Sequence, residues 1–106
     1  MTNAIQRLND NFRKTFTGGR VMLTLGINTK PGNEIAEIIR KVKQFNAFTT
    51  ANDPYEEHDF GSFDYKGQKI MFKIDYYDKS LCYLSNDPAD ESQTVRVMTI
   101  MTADEY

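Results

Sequence analysis

The chain has 106 residues, of which 40% are hydrophobic and 26% charged, with a formal net charge of −2. This is the length and composition of one globular domain, and it excludes a disordered tail or a strongly basic nucleic-acid binder. There is no apolar run of about 18 residues, so no membrane span is expected. Cys82 is the single cysteine and the opening MTNAIQRLND shows no signal pattern, which together predict one cytoplasmic domain over residues 1–106.

The first half of the chain predicts a helix, a strand and a second helix. Residues 3–17 carry apolar side chains at helical spacing, and the pair Gly18-Gly19 predicts the end of this helix. RVMLTL, residues 20–25, has the alternation of a short strand. Residues 34–45 then predict a helix whose acids come first and whose bases come last, as the helix dipole favours.

The apolar period changes from helical to two in the second half. DFGSFDY (59–65) and KIMFKIDYY (69–77) predict strands joined by a tight turn at Lys66-Gly67. TVRVMTIMT (94–102) has apolar residues on both faces, which is typical of a central strand. The order α-β-α-β-β-β predicts an α+β fold with two helices packed on one face of a small, mainly antiparallel sheet.

Charge is unevenly distributed along the chain. Residues 1–50 contain eight Lys and Arg against three acids, whereas residues 51–106 contain five against twelve. Such a difference can produce a surface dipole that steers a charged partner. The alternative is that the halves interleave and the charges neutralise locally, and the sequence favours this second interpretation.

The segment NDPYEEHDFG, residues 52–61, places the only histidine among four carboxylates. His58 and Asp59 are candidates for a metal site or an acid–base pair, although the zinc and calcium ligand spacings are absent. The alternative is a loop that uses Asn and Asp side chains to hold its shape. We expect a structural or partner-binding loop that needs no metal and no cofactor.

All six tyrosines lie in the acidic half, and tryptophan is absent. Tyrosine combines apolar area with a hydrogen bond and is enriched at protein interfaces. Tyr77 and Asp75 are predicted on the solvated sheet face with Lys73, and Tyr65 on the adjacent hairpin. The predicted partner-binding residues are Asp53, Tyr55, Glu56, Glu57, His58, Asp59, Tyr65, Asp75 and Tyr77.

Two other features receive structural interpretations. Cys82, flanked by Leu81 and Tyr83, is predicted to be a buried small side chain, since a reactive thiolate needs a basic environment. The bases of residues 40–43 are interpreted as a solvated helix end. Direct binding of nucleic acid is not expected, because the acidic pI of 5.3 opposes nonspecific affinity.

The second half of the chain contains four longer motifs: N-D-P-Y-x-E-H-D-F-G (52–61), K-I-D-Y-Y-D (73–78), S-x-D-P-A-D (85–90) and T-x-R-V-x-T-I-M-x-A-x-E-Y (94–106). Together they resemble a bacterial family that is catalogued as a domain of unknown function. The resemblance implies occurrence on plasmids and other mobile elements, and it implies no catalytic residues or cofactors. Glu56 replaces a glycine usual in that family and Leu25 replaces a proline, so a positive φ at Glu56 would be strained.

The leading functional prediction is a small non-enzymatic protein that binds and inhibits a host defence complex, as anti-CRISPR and anti-restriction proteins do. It would act by steric or charge mimicry through an acidic, tyrosine-rich surface, against a partner that itself binds nucleic acid. One alternative is a metal-dependent hydrolase or nuclease centred on His58 and Asp59. Another is an accessory subunit of a plasmid-borne complex. The sequence gives no oligomeric state.

Overall fold

Two long helices pack on one face of a four-stranded sheet in the computed structural model, which describes residues 3–106. This arrangement confirms the predicted α+β class. In chain order the elements are α1 (Ala4–Thr15), β1 (Gly19–Leu23), α2 (Leu25–Asn28), α3 (Gly32–Gln44), β2 (Phe60–Tyr65), β3 (Gln68–Tyr77), β4 (Val95–Thr102) and a 3-10 turn (Ala103–Glu105).

The first helix ends earlier than the glycine pair predicted. Phe16 is its C-terminal cap, in the left-handed conformation with φ of 59°. The glycines serve the following strand instead. A Cβ on Gly19 would come within 2.5 Å of the Arg96 carbonyl oxygen, so this position requires glycine for the close approach of β1 to β4.

A short helix, α2, interrupts the strand predicted over residues 20–25. Leu25 is its first residue, and the strand stops at Leu23. The carboxylate of Glu105 fixes this turn, because it accepts hydrogen bonds from the Gly26 backbone N–H at 2.8 Å and the Thr24 hydroxyl at 2.6 Å. The element boundary is therefore set by a residue about 80 positions away in sequence, which local alternation does not reveal.

The sheet has the order β1-β4-β3-β2, with β1 parallel to β4 and the other pairs antiparallel. β4 is thus a central strand, as its two apolar faces predicted. The turn between β2 and β3 contains Lys66 and Gly67, both with positive φ, as expected for a tight hairpin. The strand pairing places one set of alternate residues towards the helices and leaves the other set on what we call the open face.

The core lies between the helices and the inner face of the sheet. β3 contributes alternate residues from Ile70 to Ile74, and β4 contributes Met98 and Ile100. They pack against residues of all three helices. The remaining members of the cluster are Phe12, Ile27, Ile38, Val42 and Tyr65.

The two halves of the chain occupy different parts of this fold. Residues 4–44 supply the three helices and the edge strand β1, whereas residues 60–102 supply the other three strands. The two halves also meet, because β1 pairs with β4 and the loop residues Glu57 and His58 bond to α1. Whether the two charge excesses neutralise locally stays a prediction.

The long connection between β3 and β4 is folded around the Asp78 carboxylate. Its Oδ1 accepts the Cys82 N–H at 3.2 Å, and Tyr77 and Leu84 form an isolated bridge. Cys82 is exposed, so the prediction of a buried thiol was wrong. The position of Cys82 is set by the hydrogen bonds of the local turn and not by packing in the core. None of the helices in residues 3–106 has the length and apolarity to cross a membrane.

Candidate functional site

The loop between α3 and β2 is organised around the carboxylate of Asp53. This residue is 5% exposed, and its Oδ1 accepts hydrogen bonds from the backbone N–H groups of Glu57 at 3.0 Å and His58 at 3.1 Å. Its own N–H donates to the Thr49 carbonyl at 2.8 Å. A buried carboxylate is tolerated when it is hydrogen-bonded in this way. Asp53 therefore shapes the loop and does not present its charge to solvent.

Two residues of the loop take the left-handed backbone conformation, Glu56 with φ of 55° and His58 with φ of 58°. This conformation costs a non-glycine residue about 1–2 kcal/mol. The start of α1 holds the strained segment, since the side chains of Asn3 and Gln6 donate to the Glu56 carbonyl at 3.0 and 2.7 Å. Glu56 therefore has the strained positive φ that was expected at this position, where glycine is usual in the family pattern.

The imidazole of His58 lies between two carboxylates and an aromatic ring. Its Nδ1 is 2.8 Å from Oδ1 of Asp10 on α1, and its Nε2 is 3.6 Å from Oδ2 of Asp53. The ring stacks on Phe48 with centroids 3.9 Å apart. These contacts orient the imidazole, but they aim both nitrogens at carboxylates instead of at an open position for a substrate proton.

Asp10 links His58 to a buried arginine that the sequence analysis did not single out. Oδ1 of Asp10 also accepts a 2.8 Å hydrogen bond from Nη1 of Arg13, whose side chain is 2% exposed. Burial raises the pKa of Asp10, but the hydrogen bonds from Arg13 and His58 prevail and hold the pKa below its ordinary value. The guanidinium carbon of Arg13 lies 5.0 Å from the centroid of Phe48. Four side chains from α1 and the loop thus form one cluster.

A second buried network docks the loop on the sheet. The Tyr76 hydroxyl donates to Oε1 of Glu57 at 2.7 Å, and Asn9 donates to the Tyr76 hydroxyl at 2.8 Å. Arg96 completes the network by donating from Nε to the Asn9 amide oxygen at 2.7 Å. Burial and the hydrogen bond to Glu57 raise the pKa of Tyr76. The carboxylate of Glu57 is consequently engaged inside the protein.

Asp59 marks the point where the loop joins the sheet. Its carbonyl accepts the Ile74 N–H at 2.8 Å, and its side chain is partly buried. Burial and the neighbouring charge of Glu57 raise the pKa of this carboxyl, with further contributions from Asp53 and Asp75. Asp59 is therefore a half-hidden carboxylate in an acidic setting, next to the open face.

The sheet residues of the predicted surface divide between two faces. Asp75 and Tyr77 lie on the open face, as predicted, with Asp75 paired to Lys73 at 3.0 Å. Tyr65 lies on the opposite, helix-covered face and is 5% exposed. Its hydroxyl donates to Glu37 of α3 at 2.9 Å, and burial together with this hydrogen bond raises its pKa to about 12. Burial therefore removes Tyr65 from the partner-binding surface proposed from the sequence.

Three other tyrosines project into solvent. Tyr55 is 81% exposed, Tyr83 is 74% exposed and Tyr106 is 77% exposed. Tyr55 belongs to the loop around Asp53, and Tyr83 to the connection between β3 and β4. Tyr106 lies edge-on to Phe60, with ring centroids 6.4 Å apart. Of these three, only Tyr55 was among the predicted partner-binding residues.

No arrangement of ligands for a metal ion supports the hydrolase alternative within the described part of the chain. Residues 3–106 contain no group of three or more His, Cys, Asp or Glu side chains placed to hold one. His58 contacts Asp10 and Asp53, and these carboxylates already accept hydrogen bonds from Arg13 and from backbone N–H groups.

Beside the His58 cluster lies a cleft of about 430 Å³ between the C-terminal ends of α1 and α3, here called the α1–α3 cleft. Sequence reasoning interpreted its bases only as helix ends. The helical pattern gave no signal for Arg13, because this residue lies about 100° around α1 from Phe12 and outside the apolar stripe of that helix. The cleft is lined by Asp10, Arg13, Lys14, Lys43, Gln44, Phe45, Asn46, Phe48 and His58.

Comparison with protein families matches residues 1–105 to the one described as Protein of unknown function (DUF3768). This match confirms the resemblance to a family of unknown function that the motifs indicated. No curated protein matches the chain, and no solved structure matches it.

Proposed function

Because the chain belongs to the DUF3768 family, whose function is unknown, we propose a function from its surface: non-enzymatic binding of a protein partner with a basic surface. The observation that carries this proposal is the exposure of Tyr55, Tyr83 and Tyr106, each at least 74% accessible, within the acidic half of the chain. Tyrosine is among the residues that contribute most to binding energy at interfaces.

Among residues 3–106, the side chains of Tyr55 and Tyr83 make no hydrogen bond or ring contact, and Tyr106 makes only the edge-on contact with Phe60. Tyrosines that serve the fold are treated differently here, since Tyr65 and Tyr76 are buried or half-buried and donate their hydroxyls to Glu37 and Glu57. A partner that covers an exposed tyrosine ring stabilises the complex, because burial of apolar area contributes about 25 cal/mol per Å².

Charge complementarity defines the partner. Asp53 is buried and Glu57 is bonded to Tyr76, so the loop presents Glu56 and, partly, Asp59. Other exposed carboxylates of the acidic half lie on β2, in the β3–β4 connection and near the end of the chain. Together they favour a basic partner surface. The exposed acids are Glu56, Asp64, Asp87, Glu91, Asp104 and Glu105.

A protein surface that binds nucleic acid is the basic surface that such carboxylates fit best, since it is built to receive phosphates. We therefore retain an inhibitor of a host defence complex, of the anti-CRISPR or anti-restriction type, as the specific form of the proposal. Steric cover by the tyrosines and charge mimicry by the exposed acids would act together. An accessory subunit of a larger complex would use the same contacts without inhibition.

Affinity purification from nuclease-treated bacterial lysate tests the proposal. Wild type is compared with the triple variant Tyr55→Ser, Tyr83→Ser, Tyr106→Ser, and with Leu25→Ser as control. Leu25 is 76% exposed and lies in the other half of the chain. We expect a partner that wild type and the control retain and the triple variant loses, with binding about tenfold weaker for each tyrosine removed.

Salt separates the charge contribution from the apolar one. Raising the ionic strength from about 0.05 to 0.5 M shortens the Debye length and should weaken the complex at least tenfold. A partner retained equally by the triple variant would contradict the tyrosine surface. An affinity that does not change with ionic strength would contradict charge complementarity and leave the charge-mimicry mechanism without support.

A further inference from the structure

Arg13 is buried with most of its hydrogen-bonding capacity unused. Among the described residues, its guanidinium donates to Asp10 alone, and its Nε is buried without a partner. A guanidinium has five N–H donors, and each buried donor without an acceptor costs about 1–3 kcal/mol. Arg13 lines the α1–α3 cleft, so a ligand in the cleft lies beside this residue.

Two lysines line the same cleft, and the Nζ of one of them, Lys43, lies 4.7 Å from the centroid of the Phe16 ring. Lys14 at the end of α1 and Lys43 at the end of α3 both line it, and Asp10 is the one carboxylate of the lining within the described residues. Lysines near helix C-termini also complement the helix dipole, which would account for each of them separately. The helix dipole does not explain why both lysines and the buried Arg13 line the same cleft.

The remaining lining defines the size and chemistry of the ligand. Phe45 and Phe48 form an apolar wall of the cleft. Gln44 and Asn46 add side-chain amide groups to the lining. A volume of about 430 Å³ lies in the range of small-molecule sites. Three cations around one carboxylate leave two positive charges uncompensated, which suits a dianion better than a second carboxylate.

We propose that the α1–α3 cleft binds a small ligand through a phosphate group, held by Lys14, Lys43 and Arg13. The lysines act as point charges at the mouth of the cleft, and the arginine, positioned by Asp10, supplies oriented N–H donors. The apolar rings contact the part of the ligand that carries the phosphate. The three cations that hold the phosphate lie in the basic half of the chain, and none of the exposed tyrosines of the proposed protein-binding surface lines the cleft.

Titration of the full chain with inorganic pyrophosphate tests the site, by calorimetry and by ¹H–¹⁵N NMR. We expect saturable binding with shifts centred on residues 13–14 and 43–46. Lys14→Gln and Lys43→Gln should each weaken binding about three- to tenfold, since each removes one charge-assisted contact. Lys41→Gln and Lys69→Gln are the controls: they remove the same charge outside the cleft lining and should change the affinity less than about twofold.

Equal weakening by all four variants would mean nonspecific charge attraction and would overturn the proposal. No saturable binding at pyrophosphate concentrations up to about 10 mM would overturn the proposal as well. A dissociation constant of that size corresponds to a binding free energy of only about −2.7 kcal/mol. Arg13→Lys retains the charge but loses the fork of donors, and we expect weaker binding than wild type. None of the four lysines is buried, so the test does not depend on whether the Arg13 variant folds.

Discussion

The rings of His58 and Phe48 stack face to face, with centroids 3.9 Å apart and planes inclined by 5°. Phe48 also packs edge-on against Phe45 at 4.9 Å and lies 5.0 Å from the Arg13 guanidinium. One ring thus joins the loop around Asp53 to the end of α3 and to α1. The loop is therefore held by this ring in addition to its hydrogen bonds.

Replacing Phe48 with alanine should therefore destabilise the protein by about 2–3 kcal/mol, somewhat less than for a fully buried ring. Urea unfolding at pH 7 measures this difference. Tyr83→Ala, which removes a ring that is 74% exposed, should stay within about 0.5 kcal/mol of wild type. Equal effects of the two substitutions would show that Phe48 does not anchor the loop.

Glu56→Gly should stabilise the protein by roughly 0.5–1 kcal/mol. Glu56 has φ of 55°, and release of this strain, about 1–2 kcal/mol, exceeds the added entropy of the unfolded chain, about 0.4–1 kcal/mol. The backbone carbonyl that Asn3 and Gln6 bond remains in place.

Thermal unfolding should show this as a melting temperature higher by about 2–8 °C. Ala51→Gly is the matched control in the same loop: Ala51 is exposed and outside the left-handed region, so its replacement should lower stability slightly. A lower melting temperature for Glu56→Gly would mean that the Glu56 side chain stabilises the fold by more than its backbone strain destabilises it.

Glu105→Gln should make the protein less sensitive to acid. Hydrogen bonds from Thr24, Thr102 and Gly26 lower the pKa of Glu105 from 4.5 to about 2. A carboxyl with a lowered pKa stabilises the fold above its ordinary pKa, and this contribution is lost as the pH falls towards the folded-state value.

The stability difference between wild type and Glu105→Gln should therefore be constant above pH 4.5 and shrink as the pH falls towards 2. Urea unfolding at three or four pH values measures it. Asp104→Asn removes the neighbouring carboxylate, which makes none of these bonds, and should leave stability at pH 7 unchanged. A difference that does not vary with pH would contradict the assigned role.

Gly19→Ala should destabilise the sheet strongly. A Cβ there would lie 2.5 Å from the Arg96 carbonyl oxygen and 2.8 Å from the Phe12 ring, and the carbonyl is part of the β1–β4 ladder. Overpacking of this kind costs about 1–3 kcal/mol. Gly32→Ala is the control, because a Cβ at that position, the first residue of α3, meets nothing within 4 Å. Unfolding midpoints in urea that coincide for the two variants would exclude the close approach.

The sequence predicts those parts of the fold whose evidence is local. Apolar side chains at helical spacing located α1 and α3, and the two apolar faces of Val95–Thr102 located the central strand. α2 was missed because its start depends on Glu105, far along the chain. Tyr65 lies on the predicted hairpin, but its burial against α3 was not predicted because its partner, Glu37, belongs to a helix and not to the hairpin.

The site was only partly predictable for a related reason. The acids around His58 were visible, but whether each is exposed or bonded depends on residues of α1 nearly 50 positions away, such as Asp10 for His58 and Asn9 for Glu57. No periodicity encodes those pairs. The burial of Arg13 was not predictable either, since this residue lies outside the apolar stripe of α1 and packs against Phe48 of the loop.

β4 lies between β1 and β3 in the sheet, yet it is the last strand in chain order. While the domain emerges from the ribosome, residues 4–77 are present without the strand that joins β1 to the β2–β3 hairpin, and α1 lacks much of its inner packing surface. Synthesis proceeds at about 5–20 residues per second, so this incomplete state persists for a second or more. The nascent chain should therefore remain protease-sensitive until β4 has left the exit tunnel, and folding should then proceed in one late step.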